Sequence, residues 1–137
     1  MKTADWVMLA RALLVPNRMN PKARELQERA RAFLIAVSAF CESLPRTELV
    51  KRVVPQLIDA AGSASSNYNG ACRARSKREF AAKIGVAAEE ASEALEWLIT
   101  LRDAAIGNPA QRDPLVQEAH ELTSIFTASQ KTASRRK

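Results

Sequence analysis

The chain has 137 residues, 47% of them hydrophobic and 26% charged, with a formal net charge of +6. That length and balance exclude a disordered polyelectrolyte and allow one domain with a real core. Four Gly and six Pro are too few for a loop-rich fold, and the abundance of Ala, Leu, Glu and Arg predicts helix. The positive excess favours an acidic partner, nucleic acid ahead of a membrane surface.

The N-terminal stretch "WVMLARALLV" is apolar but carries Arg11, follows Asp5 and a single Lys, and lacks a small-x-small cleavage site. About ten apolar residues are too few to span a bilayer. Asp5 caps a short helix expected to end before Pro16, and the protein is expected to be soluble and cytoplasmic. The two cysteines, Cys41 and Cys72, form no metal-ligand spacing and read as small apolar residues in a reducing cytosol, with a disulfide as the second reading.

Punctuation then divides the chain. Asn20-Pro21 supplies an N-cap and a Pro at the first helical position, and Leu44-Pro45 stops that helix near Ser43. Thr47 caps the next segment, expected to close at Asn69-Gly70 with Gly70 as a left-handed C-terminal cap. Pro55 should kink this helix or start it afresh. Ser76-Lys77-Arg78-Glu79 is a capping box ahead of a run to Ile106. Asp113-Pro114 is expected to open the last helix, which ends near Lys131.

Apolar residues recur at helical spacing in all four segments: Leu26 to Leu44, Val50 to Tyr68, Phe80 to Leu101 through Leu95, and Leu115 to Phe126. No stretch alternates with the period of a strand. Short connections between four helices predict an all-α, antiparallel up-down-up-down four-helix bundle with a short extra N-terminal helix. Residues 1–20 form the extension, 21–131 the bundle and 132–137 a basic tail.

That topology gathers positive charge. Residues 22–31 carry net +2, residues 73–83 net +4 and residues 131–137 net +4, all at one expected end. Residues 89–103 carry net −4 and residues 113–121 net −3, which should make the molecule electrically polar. Arg73, Arg75, Lys77, Arg78 and Lys83 are candidate phosphate contacts, with Lys131, Arg135, Arg136 and Lys137 as a supplement. Lys77 and Arg78 sit at a helix start, where acidic residues are preferred, at a cost of about 0.3–1 kcal/mol each. Charge runs are also commonly just solvated faces. Tyr68 is the only Tyr and lies on an inward stripe, so phosphate contact is favoured over base stacking on aromatics.

Other features read more plainly. The small-residue run Gly62 to Ser66 suits close helix packing, and Asn67 suits a buried amide that fixes register or a subunit contact. Val86, Trp97 and Ile99 make a second apolar strip, suited to an oligomer interface or a partner patch; Asn67 and Tyr68 complete the candidate interface. His120 is the only histidine and has Gln117 three positions before it, so the Glu-x-x-His pairs of a di-metal carboxylate site are missing. With no phosphate-cradling Gly loop, nucleophile elbow or zinc spacing, neither an enzyme nor a cofactor is expected.

The phrases "SSNYNGACRARSKREFAAKIGVAAEEASEALEWLITL" (65–101), "EAHELTSIFTASQKTASRRK" (118–137) and, more loosely, "LQERARAFLIAVSAFCESLP" (26–45) resemble the bacterial family known as four-helix bundle proteins. That family is related to proteins encoded in intervening sequences of large-subunit ribosomal RNA genes, and to the accessory variability determinant of diversity-generating retroelements. The resemblance implies an antiparallel bundle that assembles into a ring-like homopentamer without catalysis. It also implies a basic surface for RNA or DNA and, through the retroelement relative, a reverse transcriptase as partner. It places Arg73, Arg75, Ser76, Lys77 and Phe80 at the turn into the third helix. The chain departs from the family pattern at Asn69-Gly70 and at Pro55. A protein-interaction adaptor using the Trp97 strip or residues 4–15 is the competing reading; steep salt dependence separates the two.

Overall fold

The computed structural model describes residues 20–135. Among them the chain forms four α-helices and no strand: α1 (Pro21–Glu42), α2 (Glu48–Cys72), α3 (Lys77–Asp103) and α4 (Pro109–Ser134). The short helix expected within residues 1–20 lies outside the described residues. No helix among those described is long and apolar enough to cross a membrane.

Each helix starts where a side-chain oxygen can satisfy a backbone N–H left free in the first turn. Asn20 accepts from Lys22 N–H at 2.8 Å and Thr47 from Val50 N–H at 3.2 Å. Ser76 accepts from Glu79 N–H at 3.0 Å, and Asn108 from Ala110 N–H at 2.9 Å. The last of these corrects the expected start at Asp113-Pro114. Asn108 is the cap and Pro109 the first helical residue, so Pro114 falls inside α4. An N-cap followed by Pro occurs twice in this stretch, and the earlier pair wins because its cap bond is made.

The helix ends also differ from expectation. α2 runs through Gly70 to Cys72, and no left-handed residue closes it. Gly70 instead leaves room for a neighbour, because a β-carbon there would lie 3.3 Å from Lys83 Cδ. α3 stops at Asp103 rather than Ile106. Its end is a Schellman turn: Ile106 N–H reaches Leu101 O and Ala105 N–H reaches Arg102 O, both at 2.9 Å. The left-handed position, usually Gly, is Ala105 at φ 56°. Pro55 neither stops nor restarts α2, which is continuous across it. α4 continues to Ser134, past the expected limit at Lys131.

Consecutive helices pack on one another, and α1 lies more sparingly against α4. The core joins Leu26, Val37 and Phe40 of α1 with Leu57 and Tyr68 of α2, Phe80, Ile84, Leu98 and Leu101 of α3, and Leu122 and Phe126 of α4. Ala94 is buried, whereas Leu95, expected on the inward stripe of α3, is only half-buried. α3 and α4 come close where Gly85 faces Gln130; a β-carbon at 85 would sit 2.6 Å from Gln130 Nε2. At the opposite end of α1 from Asn20, Ser43 Oγ donates to Gln111 Oε1 at 3.4 Å. Gly107, at φ 91°, tucks beneath Phe40 and Leu44.

Candidate nucleic-acid interface

The turn from α2 into α3 is built to project cations. Ser76 caps α3, and Glu79 Oε2 accepts from Arg75 N–H at 3.2 Å, so the capping box closes one residue earlier than its usual return to the cap itself. Four basic side chains leave this turn exposed: Arg73, Arg75, Lys77 and Arg78. Arg75 Nε lies 3.9 Å from Glu79 Oε2, but the Arg75 side chain is 91% exposed, so solvent screens the pair and the guanidinium stays available.

Two contacts bring other cations here. Lys77 Nζ donates to the backbone carbonyl of Arg135 at 2.8 Å, tying the start of α3 to the end of α4. The exposed Lys131 is in the last turn of α4, where the helix dipole favours positive charge. Lys83 lies across Gly70, with Nζ 4.0 Å from the position of a β-carbon there. Arg136 and Lys137 lie outside the described residues.

Arg31 of α1 and Arg73 line a shallow open depression of about 250 Å³ together with Gln27, Glu28 and Asn69. Residues 27–31, 69–83 and 131–135 are therefore linked to one another. Arg29, counted with this group on charge alone, is a correction: it is engaged by Glu118 and Glu121 of α4. Those two carboxylates raise its pKa against the opposing effect of burial.

The acidic stretch of α3 begins about 20 Å along the helix from Lys77, at 1.5 Å per residue. There the Glu90 carboxyl is pushed above its ordinary range, first by burial and then by Glu93 and Glu89. His120 is exposed, and among the described residues no group of three or more His, Cys, Asp or Glu is placed to hold a metal ion.

The candidate interface residues do not form one surface. Tyr68 is wholly inside the bundle, stacked on Phe126 with ring centroids 5.2 Å apart, and has no surface to offer a second subunit. Asn67 is half-buried and donates to Ser63 O and Ser63 Oγ at 2.9 and 3.1 Å, within its own helix. Val86 is 40% exposed, and Trp97 is half-buried against the core. At about 100° per residue these two share a face of α3. Ile99 lies about 200° from Trp97, across the buried Leu98, so it leaves the strip.

Two features escape sequence reasoning. Arg112 is buried, donating to Ile106 O and Gly107 O at 3.2 and 3.3 Å and from Nε to Asp113 Oδ1 at 3.0 Å. The signal for it is position: one turn after the Asn108 cap, it faces the carbonyls freed where α3 ends. The other is the depression, which needs α1 and α2 in register.

An all-α domain of four helices with exposed cations at the α2–α3 turn places the molecule among helical-bundle proteins. Within that class, the chain belongs to the 23S rRNA-intervening sequence protein family, whose sequence model matches residues 22–128. Comparison with curated proteins and with solved structures gives no match.

Proposed function

We propose that this protein is a non-enzymatic, homo-oligomeric helical scaffold that holds structured RNA by its phosphate backbone. The observation that carries this reading is the joining of three sequence-distant cationic stretches through the Lys77–Arg135 contact and the Arg31–Arg73 depression. Such convergence fits an up-down-up-down course of the helices, in which the start of α1, the α2–α3 turn and the end of α4 share a pole. Membership of a family named for ribosomal RNA supports RNA over DNA. Assembly with poles aligned, as in the ring-like homopentamer that the family resemblance implies, would line one rim with cations. A reverse transcriptase is a further partner consistent with the resemblance, and a cytoplasmic location suits both.

Salt dependence tests the reading. Affinity for a stem-loop RNA should fall steeply between roughly 50 and 200 mM salt, with a log–log slope near −0.9 per phosphate neutralised in duplex. Arg73→Ala, Arg75→Ala and Arg78→Ala together should flatten that slope by about 2 or 3. A slope and affinity unchanged in the triple variant would overturn the reading.

The face shared by Val86 and Trp97 favours a second reading, an adaptor that docks a protein. Val86 is exposed and Trp97 on the same face half-buried, an apolar face that a partner could cover. Binding that is insensitive to salt would select this reading.

A further inference from the structure

The depression between α1 and α2 has a chemistry that backbone binding does not require. Gln27 and Arg31 stand one turn apart on α1, with Glu28 beside them; Asn69 and Arg73 stand one turn apart at the end of α2. Two guanidiniums alone would hold a phosphate. A carboxylate in the same hollow repels a phosphate, and two amides add hydrogen-bonding edges it does not need. None of the five side chains has a hydrogen-bond or ion-pair partner among the described residues.

A ligand that answers all five must carry donors and acceptors on separate edges. At about 250 Å³ the hollow falls below the ~300–1,000 Å³ of ordinary small-molecule pockets, so it has room for one small planar group and its attached phosphate. Unpaired RNA bases are read on their exposed edges and can stack on guanidinium planes as well as on aromatic rings. No Tyr, Trp or Phe lines this depression, which leaves Arg31 and Arg73 as the stacking planes.

Resting on the reading of the cationic end as an RNA site, we propose that this depression is a subsite for one unpaired guanine nucleotide. Guanine is the one RNA base with two adjacent donors on its pairing edge, N1–H and N2–H, which match the two oxygens of the Glu28 carboxylate. Its O6 and N7 acceptors suit a guanidinium or the Gln27 and Asn69 amides. Cytosine, adenine and uracil each present one donor position on that edge and leave one carboxylate oxygen facing an acceptor.

The test uses the full chain and labelled stem-loop RNAs whose uridine loops differ in one central base. The G loop should bind about tenfold more tightly than the A, C and all-U loops, the order expected for one bidentate base contact. Glu28→Gln should bring the ratio of G-loop to U-loop affinity close to one. Equal, salt-dependent binding of all four loops by the native protein would overturn the guanine subsite while leaving the RNA reading intact. So would a preference for G that survives Glu28→Gln. Failure of every loop to bind at low salt would overturn both. Unchanged melting of the Glu28→Gln protein shows that the readout reports recognition rather than folding.

Discussion

Arg29 on α1 and Glu118 on α4 meet through two parallel hydrogen bonds, Nε to Oε2 at 2.7 Å and Nη2 to Oε1 at 2.6 Å. Both side chains are one-quarter exposed, and Glu121 Oε2 stands 3.5 Å from the same Arg29 nitrogen. Bidentate geometry and reach set this pair apart from the Lys51–Glu48, Arg75–Glu79, Arg102–Asp103 and Arg112–Asp113 pairs, which join near neighbours in sequence. It ties α1 to α4 across a seam sparser than those between consecutive helices.

Arg29→Ala should therefore lower stability by about 1–2 kcal/mol, because it leaves Glu118 half-buried without its partner. A double-mutant cycle with Glu118→Gln should return a coupling of about 0.5–1 kcal/mol. RNA affinity should separate Arg29 from its helix neighbour: Arg29→Ala leaves it within about twofold, whereas Arg31→Ala lowers it several-fold. Chemical denaturation and RNA titration at one salt concentration check these outcomes.

The end of α3 holds a residue in the wrong chemistry for its backbone. Ala105 occupies the left-handed position of the Schellman turn, where a β-carbon costs roughly 1–2 kcal/mol. Ala105→Gly should raise stability by about 0.5–1 kcal/mol after the added freedom of the unfolded chain is discounted. Gly107→Ala should do the reverse and cost about 2–4 kcal/mol. Its φ of 91° is left-handed, and the new β-carbon would meet Phe40 Cζ at 2.6 Å. Thermal melts of the two variants should move in opposite directions.

Tyr68 carries its hydroxyl into the core, where the Cys72 thiol one turn away offers it only a weak hydrogen bond. The ring is what matters there. Tyr68→Phe should change stability by less than about 1 kcal/mol, since it removes a buried oxygen held only weakly by a thiol and keeps the stack on Phe126. Tyr68→Ala should cost about 3–5 kcal/mol. A loss on Tyr68→Phe as large as that of the alanine variant would show that the oxygen, and not the ring, carries the contribution.

Alkaline pH should weaken the fold. Burial, helped by the nearby Glu42 charge, pushes the Cys41 thiol up to about 11; burial likewise raises the Tyr68 hydroxyl and the Cys72 thiol. An unfolded thiol ionises near pH 8.5, so between there and pH 11 the unfolded state releases protons that the folded state retains. Stability is then complete below about pH 8.5 and declines as pH rises towards 11. The melting temperature should fall across that window, and Cys41→Ala should make the fall shallower. The slope, not the melting temperature at neutral pH, is the readout, because Cys41→Ala also removes a packed sulfur.

Much of the architecture was legible before any coordinate. Asn20, Thr47 and Ser76 each announce a helix start through a bond to a residue two or three positions on, a distance the sequence contains. Where local signals competed, reading faltered. Asn108-Pro109 and Asp113-Pro114 both spell a helix start, and only the formed bond from Ala110 N–H decides between them. Gly70 and Gly107 are equally plausible as helix terminators; the approach of Lys83 to one and the positive φ of the other tell them apart.

The cationic residues divide in the same way. That Arg73, Arg75, Lys77 and Arg78 crowd a turn is a property of the sequence, since a helix cap fixes their exposure locally. That Arg29 is consumed by Glu118 while Arg31 faces Arg73 depends on how α1 is rotated between α2 and α4. The same rotation and register put Asn69 beside Gln27 and Glu28, and send Tyr68 inward onto Phe126. Sequence alone thus determined the helical class, the starts of the first three helices and the sign of the charge, because these arise from interactions within a turn or two of chain. Tertiary packing decided which charges remain free and what they surround, because those pairings join residues dozens of positions apart and exist only once the helices have found their rotation against one another.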